Sequence, residues 1–260
     1  MKLKLVPART GATWVKLGMQ TFFKQPLALA GLFFIFMALM SLVTMLPIVG
    51  LPLAMTLLPA VTLGLMAATR EATQGKFPMP LILFTAFRAG PAKMRAMLTL
   101  GAMYAAGFLL AMGASYLMDG GGFAQLYLGG SAPTPELLQS ADFQSAMWVF
   151  ISLHLPLSLM FWHAPALLFW DDLPPLKSMF FSIVACFRNF WAFTWFGLAW
   201  MGAIVVAIFA IGTLGTLLGN PALSGVMLFP ALMLLASMFF TSLYFTYRDC
   251  FEQAVPKTTL

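Results

Sequence analysis

Charged residues are scarce in this chain. Asp, Glu, Lys and Arg make up 8% of its 260 residues, against about 25% in a soluble domain. Hydrophobic residues reach 61% and the mean hydropathy is +0.91, so most of the surface has lipid as its solvent. Only two cysteines, Cys186 and Cys250, are present. They exclude a disulfide framework, and no other ligand-type residue is spaced with them as in a zinc site. The long apolar stretches hold no Asp, Glu, Lys or Arg. That argues against an ion-coupled pump built on a membrane-centred carboxylate. No glycine-rich phosphate cradle is present either; Gly120-Gly121-Gly122 after Asp119 reads as an external turn. The net charge of +6 does not point to nucleic acid, because the basic residues flank apolar stretches instead of forming a patch.

Six of those stretches are long enough to cross a hydrocarbon core of about 30 Å, which takes about 20 apolar residues. They run approximately over 27–46, 48–69, 97–118, 145–170, 190–218 and 222–246. The polar region before the first extends to Gln25, longer than the basic region of a signal peptide, so the first stretch is expected to stay as an uncleaved anchor. Lys2, Lys4, Arg9, Lys16 and Lys24 precede it; Arg70, Lys76, Arg88, Lys93 and Arg95 lie between spans two and three; Lys177 and Arg188 lie between four and five; Arg248 and Lys257 follow six. All 14 basic residues therefore fall on one side. The other side holds Asp119, Glu136 and Asp142. The positive-inside rule then predicts both termini in the cytoplasm. Tryptophans fit this picture, with Trp148 at the outer boundary and Trp14, Trp162, Trp170, Trp191 and Trp195 near the inner one.

On the outer side, Pro47 and Gly219-Asn220-Pro221 read as tight turns. The segment 119–144, with Gly129-Gly130 and Pro133-Thr134-Pro135, reads as a flexible external loop with a short helix around 135–144. Three inner segments look alike: TWVKLGMQTFFK from Thr13, which would be its N-cap, PLILFTAFR from Pro80, and PPLKSMFFSIVACFR from Pro174. In the first, Lys16, Gln20 and Lys24 share one face, with Val15, Met19, Phe22 and Phe23 opposite. In the third, Leu176, Met179, Phe180, Ile183 and Phe187 form an apolar stripe, with Ser178 and Ser182 off it. These are amphipathic helices expected to lie in the membrane interface. Each ends in Phe-Lys or Phe-Arg just before a span. The second span of each pair carries an interior proline, Pro52, Pro156 or Pro230, before a charged end. Such prolines are expected at kinks facing protein. The fold class is thus an all-α, polytopic transmembrane bundle, with six spans in three hairpins, each preceded by an interfacial amphipathic helix. The whole forms a single transmembrane domain, residues 1–260, with repeat units at about 13–70, 80–172 and 174–249. Small-residue faces at Thr56, Ala60, Gly64 and Ala68 and at Ala199, Ala203 and Ala207 read as internal bundle packing and set no oligomeric state.

Candidate functional positions are few. His154 and His163 are the only histidines and sit nine residues apart, about half a turn out of phase on a regular helix. They read as satisfied structural residues, with His154 deeper in the bilayer. Asp171-Asp172 beside Pro174-Pro175 could bind a divalent ion, but no third carboxylate is near in sequence. Helix termination and capping of the next helix are the plainer reading. No metal, cofactor or catalytic constellation is expected.

The segments VPARTGATWVKLGMQTFFKQPLAL, HAPALLFWDDLPPLKSMFFSIVACFRNF and YFTYRDCFE resemble an uncharacterised family of betaproteobacterial inner-membrane proteins. More distantly, they are similar to YciC-like proteins and to the membrane domain attached to some glycerophosphodiester phosphodiesterases. The pattern around Pro165, Asp171 and Arg188 is the most distinctive part, and 119–144 the least covered. The resemblance implies a helical inner-membrane protein and supplies no activity to carry over, hydrolysis included. Three functional readings follow. The favoured one is a non-enzymatic component binding membrane lipid or another membrane protein. The second is a permeation path for a small apolar or zwitterionic molecule, which calls for a polar-lined cavity near His154, Ser158 and Thr194. The third is an enzyme acting on lipid with Asp171, Asp172 and Arg188.

Overall fold

The computed structural model describes residues 2–130, 132 and 134–252; Pro133 and Lys257 lie outside the described residues. Helices account for nearly all of it: α1 Thr10–Lys24, α2 Pro26–Thr44, α3 Gly50–Thr73, α4 Thr85–Arg88 behind a 3-10 turn at Pro80–Phe84, α5 Pro91–Asp119, α6 Gly122–Tyr127, α7 Pro135–Gln139, α8 Ala141–Phe161, α9 Ala164–Trp170, α10 Pro175–Arg188, α11 Phe190–Leu217 and α12 Pro221–Cys250. Six helical segments are long and apolar enough to cross a membrane, with α8 and α9 together making the fourth. The six predicted spans are all present. Proline and glycine punctuate them as expected: Gly219, at φ +65°, follows α11, and Pro221 opens α12.

The chain divides into two compact units. The first comprises Met1–Leu39, Ala60–Gly90 and Val184–Leu260. Within it α1 packs against α11 and α12. The side chains of α2 reach α12, where Phe33 and Phe36 meet the Phe240 ring at 5.5 and 5.7 Å. Ala60, Gly64 and Ala68 of α3 are buried as the small-residue face predicts. A Cβ on Gly64 would come within 2.6 Å of the Leu83 backbone, so only glycine lets the 3-10 turn lie this close.

The second unit comprises Met40–Pro59 and Pro91–Ile183. Its centre is the α5–α8 pair. Phe108 and Phe150 meet edge to face at 5.9 Å, a favoured aromatic geometry. Residues 119–130 and 134–144, expected to form a flexible loop with one short helix, are mostly helical. Phe123 of α6 is buried against Phe143 and Phe150, with ring centroids at 5.8 and 5.2 Å. The Asp119 carboxylate accepts from the Gly121 and Phe123 amides and closes the turn into α6. Thr134 caps α7 and Ser140 caps α8.

Three local expectations are corrected. Helix α1 starts at Thr10, and Thr13 is inside it, its hydroxyl donating to the Arg9 carbonyl at 3.4 Å. Pro156 and Pro230 are exposed, not turned toward protein. Pro52 sits in the first turn of α3, where its missing N–H costs nothing; the interior proline of α3 is Pro59, which is buried. Most span hydroxyls are spent locally. Thr56, Thr69, Thr194 and Thr241 each donate to the carbonyl four residues earlier, which is how lipid-embedded helices tolerate them.

Candidate functional site

The short helices at the basic ends of the spans carry the candidate surface, and α1 is deeply embedded, with one face buried. Gly11, Trp14, Val15, Gly18, Thr21 and Phe22 are buried along one face. A Cβ on Gly11 would sit 1.9 Å from the Ala192 carbonyl oxygen, and one on Gly18 would sit 2.6 Å from Ser242 Cβ. Two glycines seven residues apart thus bring α1 into backbone contact with α11 and α12. Trp14 is fully buried within the protein. Its Nε1–H donates to Asp249 Oδ2 at 3.0 Å, and Arg248 holds the other carboxylate oxygen at 2.8 Å. The opposite face carries Lys16, Gln20, Phe23 and Lys24, all exposed. These residues, with Met19 and Ala199, line an open groove of about 740 Å³.

Beside α1, the N-terminal segment is clasped to the end of α12. Leu3 and Phe251 form an antiparallel bridge, the Lys4 amide donates to the Cys250 carbonyl at 2.8 Å, and the Glu252 amide donates to the Lys2 carbonyl at 2.9 Å. Asn189 sits at the middle of the clasp and is 3% exposed. Its Oδ1 accepts from the Val6 amide at 2.8 Å, and its Nδ2 donates to the Lys4 and Ala185 carbonyls at 3.0 and 3.1 Å. This burial of a polar hub is affordable only because both amide groups are engaged. Residues 2–4 and 250–252 therefore lie on the same side of the membrane. Asn189 and Asp249 were not picked out as site residues in the sequence. The one available signal was a polar residue beside each of two span ends.

Helix α10 turns its small and polar residues inward and its apolar stripe outward. Ser178, Ser182, Ala185 and Cys186 are buried, while Leu176, Phe180 and Phe187 are exposed. The Ser182 hydroxyl accepts from the His163 amide at 2.9 Å and donates to the Leu159 carbonyl at 2.8 Å. It thereby bridges the break between α8 and α9, where regular helix bonds lapse. Burial pushes the Cys186 thiol up to about 12. Counted back from the terminal basic residue, α1 and α10 bury the same four positions: Phe22, Thr21, Gly18 and Trp14 before Lys24, and Cys186, Ala185, Ser182 and Ser178 before Arg188.

The predicted site residues fall into separate surroundings. Asp172, at φ +54°, lies just past the C-cap of α9 and pairs with Lys93 at 2.9 Å. The same Lys93 ammonium donates to the Phe169 carbonyl at 2.7 Å and stands 4.7 Å from the Phe169 ring centre. A lysine thus caps the last turn of α9, as favoured at a helix C-terminus. Asp171 follows α9 as its C-cap and is half-buried. Arg188 is exposed at the end of α10. His163 is fully buried at the helix break. His154 is stacked on Phe150 at 4.9 Å, with Phe108 and Tyr104 at 5.8 and 6.4 Å. Its Nδ1 is buried without a hydrogen-bond partner, so this imidazole is not the satisfied one expected. Ser158 lies one turn further along α8, half-buried. The side chains stacked around His154 are aromatic. Among the described residues, no group of three His, Cys, Asp or Glu side chains is placed to hold a metal ion.

No protein-family model and no solved structure matches this chain. A protein of Burkholderia thailandensis described as a probable inner membrane protein is 37% identical to it over 263 aligned positions, covering 99% of this chain and 97% of the relative. With six apolar helices and this full-length likeness, the chain belongs to the family of that probable inner membrane protein.

Proposed function

We propose that the chain is a non-enzymatic component of the bacterial inner membrane that binds membrane lipid, with residues 2–24 and 248–252 on the cytoplasmic side. The observation that carries this reading is the outward stripe of α10. Leu176, Phe180 and Phe187 are 67%, 61% and 62% exposed while two serines face inward. An apolar stripe beside Lys177 and Arg188 is at rest only against an apolar phase bordered by anions, which describes the headgroup boundary of a membrane. The positive-inside bias of all 14 basic residues supports the orientation.

The same unit is written three times along the chain, and the packing supports this. Each unit's inner segment rests on a hairpin: Leu83 of the 3-10 turn against Gly64 and Ser182 against Leu159 of the hairpin before, and Gly18 against Ser242 of the last hairpin. Gly64 and Ser242 both stand six residues before a terminal arginine, Arg70 and Arg248. In this reading the YciC-like proteins and the phosphodiesterase-linked membrane domains are distant relatives that contribute no activity.

Native mass spectrometry of the protein extracted with its surrounding lipid tests the function. Retention of a defined lipid at stoichiometric level is the expected result, and a bare monomer would overturn it. Orientation is tested separately with Ala132→Cys and Gln74→Cys. A membrane-impermeant maleimide should label the first in intact spheroplasts and the second only after permeabilisation; the reverse pattern would invert the topology.

A further inference from the structure

We propose that the groove along α1 seats one anionic phospholipid, its phosphate between Lys16 and Lys24 and an acyl chain over Met19 and Phe23. This rests on the lipid-binding reading above and adds which lipid and where. Lys16, Gln20 and Lys24 recur every four residues and line the groove together. Their spacing covers about 12 Å of helix, and two flexible lysine stems can converge on one phosphodiester with the Gln20 amide between them. None of the groove's lining residues is acidic. Neither lysine has an ion pair among the described residues. Two cations are therefore left uncompensated on one helix face, and an anion is the group that relieves them.

The apolar part of the groove selects a lipid over a free phosphate. Phe23 is 66% exposed, and Leu27, in the first turn of α2, is 87% exposed. Lys24 is separated from the start of the α2 span at Pro26 by Gln25 alone. The row of lysines thus stands where headgroups gather, and Phe23 and Leu27 lead on toward the span, where acyl chains begin. An acidic peptide would satisfy the lysines and leave Phe23 and Leu27 uncovered.

The full chain is placed in nanodiscs of phosphatidylethanolamine containing a minority of phosphatidylglycerol, and retained lipid is measured by native mass spectrometry. Wild type should retain phosphatidylglycerol over phosphatidylethanolamine. The K16Q/K24Q double variant should retain about 25-fold less, fivefold per lysine, while K76Q/R95Q, at exposed bases outside both the groove and the α10 stripe, keeps the wild-type level. K16R/K24R should also keep it, which separates lost charge from lost folding. Equal loss in both glutamine pairs, or loss in neither, overturns the groove and leaves lipid binding standing. Retention of both lipids alike overturns the anionic preference. A protein that retains no lipid in any form overturns the groove and the function together, and copurification of an acidic peptide released by K16Q/K24Q overturns the lipid in favour of that peptide.

Discussion

Helices α1 and α10 share a register of burial and differ in what they bury. Both hide the residues two, three, six and ten places before their terminal base. In α1 those places hold Trp14, Gly18, Thr21 and Phe22, and the cations face outward. In α10 they hold two serines, an alanine and a cysteine, and the phenylalanines face outward. Position along the helix decides which face meets protein; the apolar face does not. In water the hydrophobic effect would forbid the second arrangement. Under the proposed lipid contact it would cost nothing, because an exposed phenylalanine would still be solvated by hydrocarbon, and small residues bring backbones together.

The comparison can be broken from either side. The largest effect is expected at Gly11→Leu, which forces a side chain into the Ala192 carbonyl. The loss should be on the order of 3 kcal/mol, read as a lowered melting temperature in detergent. Gly31→Leu, with open space around its Cβ, should leave the melting temperature unchanged. Trp14→Phe keeps the ring and removes the donation to Asp249; about 1.5–3 kcal/mol should go, as for a hydrogen bond to a charged group. Ser182→Ala orphans the His163 amide and should cost about 1–3 kcal/mol, a penalty that an apolar-inside view of α10 would not foresee. Phe180→Gln on the outward stripe should change stability by less than about 0.5 kcal/mol. If instead it costs as much as Ser182→Ala, the stripe packs on protein and the contrast fails.

Cys186 sharpens the contrast without a mutation. Its thiol pKa rises from the ordinary 9.0 to about 12 because burial disfavours the thiolate. The folded state therefore holds the neutral thiol, and the stability this contributes is present below pH 9.0 and lost as pH climbs toward 12. Maleimide at pH 8 should leave Cys186 unlabelled in the folded protein and label it on unfolding, as read by peptide mass spectrometry. Rapid labelling of the folded protein would mean that the inward face of α10 is open.

Much of this architecture is legible in composition. A run of twenty apolar residues has no alternative to a helix in lipid, and Gly219 with Pro221 marks a turn by backbone geometry alone. The existence of α1 and α10 was equally readable from their amphipathic spacing. Their orientation was not, because an apolar stripe next to a membrane has two apolar neighbours to choose from. The clasp was invisible for another reason. Asn189 meets Val6 across 183 positions and Trp14 meets Asp249 across 235, and no local pattern encodes such pairs. The burial of Phe123 hid behind glycines that looked like slack; they supply the positive φ of the turn at Gly120 and Gly121 instead.

The pairing of residues 2–4 with 250–252 also sets an order of events during synthesis. At about 5–20 residues per second, the second strand of the clasp leaves the ribosome tens of seconds after the first. Until then Trp14 has no Asp249, and the Leu3 bridge has no partner. A chain halted after five spans would carry an open seam along α1, a mark by which quality-control proteases could tell an unfinished protein from a finished one.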